Sequence, residues 1–171
     1  MATTQIPPRA PEAEVELDGG RLVTVRRVAP DDAASILVFL ASPGVRFLCS
    51  GPGARDECGH IRAEGEPTAI PQVIAVSGED DVLAAGWLAP AAAQGPAQLA
   101  VAAHVGYLRG EVVIAVFRQL ALEAVQRGFE RFTTCVTSLH GQPFEELRAA
   151  GLRIESSFSL GGVTEVELSF E

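Results

Sequence analysis

HVGYLRGEVVIAVFRQLALEAVQRG, residues 104 to 128, passes from the end of an apolar strand through one glycine into a long amphipathic helix. Val113, Val116, Phe117, Leu120, Ala124 and Val125 recur at helical spacing and make one face of the segment from Arg109 to Arg127 apolar, and Gly128 supplies the stop. The helix opens on Leu108-Arg109-Gly110-Glu111-Val112-Val113. Unsatisfied N–H groups and the positive end of the helix dipole make such a start attractive to an anion. Glu111 is itself an anion in that first turn, and its plain reading is ordinary N-terminal stabilisation by about 0.3 to 1 kcal/mol.

Upstream of this helix, PAQLAVAAHV (96–105) reads as an apolar strand, and QVIAVSGEDDVLAAGWLAP (72–90) as two strands, 72–77 and 82–89, joined by a Gly-Glu-Asp-Asp turn into an antiparallel hairpin. GGRLVTVRRV (19–28) alternates with period two and predicts the first strand. APDDAASILVFLAS (29–42) sets Pro30 and Asp31 before an apolar stripe, which predicts a helix ended by Pro43-Gly44. Residues 50–71 mix turn formers with a short helix around Ala54 to Glu64. Downstream, FTTCVTS (132–138) is a fifth strand, QPFEELRAAG (142–151) a short helix stopped by Gly151, and LRIESSFSLGGVTEVELSF (152–170) a final hairpin turning at Gly161-Gly162. Residues 1–18 read as a Pro-rich flexible leader and 19–171 as a single domain. The order β-α-α-β-β-β-α-β-α-β-β predicts an α/β (α+β) fold with a mixed, mostly antiparallel seven-stranded sheet and helices on both faces.

An apolar fraction of 47% with 20% charged residues excludes a wholly disordered chain. The formal charge of -9 argues against nucleic acid, whose binding depends on clustered cations. No apolar run reaches bilayer length and no signal-like h-region opens the sequence, so a cytoplasmic protein without a membrane partner is expected. All thirteen basic residues are arginine. Cys49, Cys58 and Cys135 are too few and too irregular for a disulfide framework. Cys58-x-His60 is the only close pair of soft metal ligands, short of the four that structural zinc takes, so no metal is expected, and Asp56 and Glu57 read as a solvated helix start.

The element order, with AQLAVAAHVGYLRGEVVIAVFRQLALEAVQRGFERFTTCVTS at its centre, resembles the GNAT N-acetyltransferase superfamily over nearly the whole chain. GGRLVTVRRVAPDDAASILVFLAS is similar to that family's opening strand and helix, and ELRAAGLRIESSFSLGGVTEVELSF to the ending of its bacterial protein-acetyltransferase branch. The resemblance implies acyl transfer from acetyl-CoA to an amine-bearing small molecule or protein acceptor. It implies an acceptor cleft between the fourth and fifth strands, bordered by residues 42–60 and the final hairpin. A homodimer through strand edges or the final hairpin is implied by analogy alone. Cofactor contacts are implied at Val101, Ala103 and Val105 and at Leu108, Arg109, Gly110, Glu111, Val112 and Val113.

Within the resemblance several positions depart from the family pattern. Its Gln/Arg-x-x-Gly-x-Gly/Ala loop, whose N–H groups hold a pyrophosphate, has Glu111 and Val113 at the glycine positions, with Gly110 one place early. Val113 is expected to fill the anion's space, and Glu111 to satisfy the free N–H groups and repel it. In favour of binding, Arg109 offers a bidentate contact and Gly110 can take the first glycine's place. The branch's catalytic Glu aligns with Gln98, which carries no titratable proton, and the tyrosine acid of many relatives aligns with Leu147. His140, where relatives often carry Asn, and His104 at the end of the fourth strand are the remaining general-base candidates, acting through a water. Tyr107 reads as a structural cover of the strand end, and Cys135 as an inert strand thiol. Two functions compete: an N-acetyltransferase, and a GNAT-fold binding or regulatory module that has lost acetyl transfer.

Overall fold

The computed structural model describes residues 12–49, 71–90, 95–137 and 143–171. Its elements are β1 (Ala13–Leu17), β2 (Arg21–Arg27), α1 (Ala33–Ala41), β3 (Val45–Cys49), β4 (Val73–Ser77), β5 (Val82–Pro90), β6 (Ala97–His104), α2 (Glu111–Gln126), β7 (Arg131–Thr137), α3 (Phe144–Ala149), β8 (Leu152–Leu160) and β9 (Val163–Phe170). One sheet runs β1-β2-β4-β5-β6-β7-β9-β8, with β3 added on β6. Every pairing is antiparallel except β6 with β7. The mixed, mostly antiparallel α/β architecture therefore follows the sequence, but with nine strands among the described residues in place of seven.

The two additional strands are β1 and β3. β1 falls within the stretch read as a leader, where Ala13, Val15 and Leu17 pack against the core while Glu14 and Glu16 face solvent. This is period-two alternation, and the outward carboxylates guard a sheet edge against pairing with another chain. β3 starts once Ser42-Pro43-Gly44 has ended α1. The second early helix expected around residues 54–64 lies outside the described residues.

Two apolar layers hold the sheet. On one face α2 and α3 bury Val116, Phe117, Leu120 and Leu147 against Leu99, Phe132, Val166 and Leu168. On the other, α1 sets Ile36 and Phe39 on Ile74, Trp87 and Ala102. β6 lies between both layers, and its centre, Leu99 to Ala103, is accordingly a continuous apolar run, with Ala97, Leu99, Val101 and Ala103 toward α2 and Ala102 toward α1. Gly86 of β5 sets how closely α2 approaches, since a Cβ there would come within 2.5 Å of Leu120 Cδ1.

β3 contributes to both layers. Val45 and Phe47 join the α1 side, the Phe47 ring 5.5 Å from that of Trp87, whereas Leu48 and Cys49 join the α2 side. A register shift between Phe47 and Cys49 makes this change of face.

Two ion pairs fix the C-terminal end of β2. Asp32 accepts from Arg26 at 2.7 and 2.9 Å and from the Ala29 N–H at 2.7 Å, so one carboxylate ties β2 to the turn that opens α1. The Arg26 guanidinium holds the Asp32 carboxyl below the usual carboxylate range. Glu123, buried on α2, receives the Arg27 guanidinium from β2, with Nη2 2.8 Å from Oε2.

Arg27→Ala leaves the Glu123 charge buried and unpaired and is expected to cost about 3 kcal/mol in urea unfolding, with Arg27→Met/Glu123→Leu recovering most of it. A folded-state pKa below the unfolded value stabilises the protein fully above the latter and progressively less as the pH falls through the former. The stability difference between wild type and Asp32→Asn should therefore be constant above about pH 5 and shrink below about pH 3.9, as equilibrium unfolding across pH would show.

Candidate functional site

Among the described residues β6 and β7 are the only parallel neighbours, and they pair only at Ala97↔Phe132 and Gln98↔Thr133. Beyond these two positions the strands diverge into a fork, β7 staying on β9 along its whole length while β6 stays on β5. At the vertex the Thr134 hydroxyl donates to the Leu99 carbonyl at 2.8 Å and is fully buried. Farther along, β3 occupies the same edge of β6, pairing Arg46↔Ala103 and Cys49↔Val101, and the Val105 N–H donates to the Gly44 carbonyl at 2.8 Å. Backbone groups alternate between the two edges of a strand. Leu99, Val101, Ala103 and Val105 thus all turn toward the fork, where the chain itself supplies their partners.

The acceptor cleft expected between these strands is therefore altered. The segment expected to border it sends β3 into it. His104, half-buried at the mouth, rests its imidazole on the Gly44 backbone, where a Cβ would lie 2.7 Å from Nε2.

From β6 the chain makes a 3-10 turn, Val105–Tyr107, and enters α2 through Gly110 at φ 94° and ψ -157°. This is a glycine conformation. No described side chain caps α2, and apart from its chain neighbours no described residue lies within 4 Å of where a Gly110 Cβ would project. Glu111 is exposed and makes no cap bond, so it does not close the N-terminus as the sequence suggested. Val112 and Val113 point into the core, at 2% and 0% exposure, so the Val113 side chain is spent on packing and does not fill an anion's space. Arg109 reaches across to α3, its Nη1 3.2 Å from both carboxylate oxygens of the buried Glu146. Leu108 is half-buried against the core, and Val105 is exposed.

Eight-residue β6 separates the remaining candidates. Gln98 and His104 share the α1 face but stand six positions apart, roughly 20 Å along a strand. Leu147 is wholly buried, so the position of the relatives' tyrosine belongs here to packing. Tyr107 packs on the core, as read from sequence, and Cys135 is buried. His140, Cys58, His60, Asp56 and Glu57 lie outside the described residues. Among the described residues no three His, Cys, Asp or Glu side chains group to hold a metal ion, and no helix is long and apolar enough to cross a membrane.

No family model and no curated protein matches the chain. Solved structures do. The GNAT domain of S. lividans PAT superposes with a TM-score of 0.64 at 21% identity, covering 93% of this chain and 97% of that one. The fold is that of the GNAT acetyltransferases. An N-acetyltransferase from Staphylococcus aureus (TM-score 0.57, 9% identity, 87% and 99% covered) and yncA from Salmonella typhimurium, solved with its cofactor acetyl-CoA (0.58, 12%, 87% and 94%), share it. Thr134 and β3 are the site features that sequence reading of this GNAT fold missed. Val45, Phe47 and Leu48 after a Pro-Gly break were the available signal for the strand. Nothing in FTTCVTS singled out the hydroxyl.

Gly110→Ala forces a side chain into a glycine-only conformation and should cost about 1 to 3 kcal/mol in thermal unfolding, though space there is open.

Proposed function

We propose that this chain is an N-acetyltransferase of the GNAT superfamily, taking an acetyl group from acetyl-CoA to an amine on a small molecule or protein. One observation carries the reading: α2 opens directly beside the β6/β7 fork on a glycine-only residue, without a side-chain cap. Free N–H groups, open space over Gly110 and the dipole's positive end suit a pyrophosphate. Gly110, Glu111 and Val112 would present backbone N–H groups, and Arg109 stands beside them, shared with Glu146. The cofactor supplies an activated thioester. His104 is the described imidazole at the fork mouth and would take the ammonium proton, directly or through a water. Gln98 cannot take that proton and serves only as a hydrogen-bonding amide.

The strand edge fits the cofactor less well. Val45, Phe47 and Leu48 of β3 are buried there, each side chain worth about 1.5 to 3 kcal/mol. That favours a second reading, a binding module that no longer takes acetyl-CoA in the family's manner, supported also by Gln98 and Leu147 standing where acid–base groups are implied.

Calorimetric titration separates the two. The acetyltransferase reading expects saturable acetyl-CoA binding by the wild type, weaker than micromolar and nearer about 0.1 to 1 mM because the edge is taken. Glu111→Gln should tighten it by about two- to fivefold as one repelling charge leaves the helix start. Silence at millimolar acetyl-CoA in both proteins would establish the module.

A further inference from the structure

We infer that β3 is an internal strap that keeps the fork edge of β6 from the extended arm of an acyl-CoA, so that cofactor affinity is set by how often the strap is open; this rests on the acetyltransferase reading. The arm of an acyl-CoA is a linear chain with two amide groups. An extended amide chain lying in the fork must satisfy those groups on a strand edge, since a buried unpaired amide is costly. The edge is committed from end to end. The Leu99 carbonyl holds the Thr134 hydroxyl, Val101 and Ala103 pair with Cys49 and Arg46, and the Val105 N–H holds the Gly44 carbonyl.

Three features make β3 separable from the sheet. It has only five residues and a register shift, and among the described residues it pairs with β6 alone. Because it lies off the main path, its departure leaves the order β1-β2-β4-β5-β6-β7-β9-β8 unbroken. The anion site at Gly110 lies outside the strap's ladder, so the two halves of a bound acyl-CoA meet different conditions: an open helix start and an occupied edge. In such an equilibrium the apparent dissociation constant is the intrinsic one divided by the open fraction.

Arg46→Pro tests this without removing a buried apolar side chain. The Val105–Gly44 bond sets the parity by which the Arg46 N–H faces β6, and proline deletes that donor. Acetyl-CoA and ADP, which has the pyrophosphate but no amide arm, would each be titrated into wild type and variant. The strap requires at least tenfold tighter acetyl-CoA binding by Arg46→Pro, with ADP binding equal in the two proteins. Hydrogen exchange on the wild type provides the second measurement if the variant does not fold. Saturating acetyl-CoA should deprotect the amides of residues 45–49 and ADP should not. Equal acetyl-CoA affinities, or amides of 45–49 that stay protected at saturation, would overturn the strap while leaving cofactor binding intact. Absence of binding of either ligand to either protein would overturn the acetyltransferase reading and the strap with it.

Discussion

The two residue pairs that join β6 to β7 are the constraint on which the site depends. Parallel strands need a crossover, here α2, and because it leaves from the far end of β6 its start is delivered to the open end of the fork. If β6 and β7 stayed paired to their ends, there would be no fork, no place for β3, and no opening beside Gly110. The remaining sheet is antiparallel and self-sufficient on either side, which lets this one junction be incomplete without the fold coming apart. Packing supports the same arrangement: β6 is clamped between α2 and α1, and the missing Cβ of Gly86 lets α2 settle close to the sheet.

The fork and the helix start then pull in opposite functional directions. At the helix start the structure relaxes the objections that the sequence raised, because Val113 is turned inward and Glu111 outward. At the fork it adds an objection of its own, because a strand from the segment after α1 satisfies the backbone groups there. The size of each effect ranks them. A repelling carboxylate at an exposed helix end is worth less than about 1 kcal/mol, while three buried side chains anchoring β3 hold several.

Much of the architecture was legible because it is periodic. α2, the β4–β5 and β8–β9 hairpins and α3 follow from apolar spacing and glycine stops, and they place within a few residues of their reading. What escaped was short or disguised. Ala13-Glu14-Val15-Glu16-Leu17 alternates plainly, but neighbouring prolines gave it the look of a leader. Val45 to Cys49 carries a bulge that breaks its alternation, so neither period fits it. At the site, sequence identified Gly110 but not the direction of its neighbours, since whether Val113 faces an anion or the core depends on the helix's rotation against the sheet. The Arg109–Glu146 contact joins residues thirty-seven positions apart and needed the fold itself.

The hydroxyl of Thr134 has a role that its size conceals. It closes the first carbonyl of β6 beyond the last paired rung, so it marks where pairing by backbone gives way to pairing by side chain. Valine has nearly the same shape and would fill the same space, yet it would leave the Leu99 oxygen buried with one partner fewer. The opening of the fork is thereby pinned to one rung of the ladder, as a rivet fixes where the two blades of a pair of shears begin to spread.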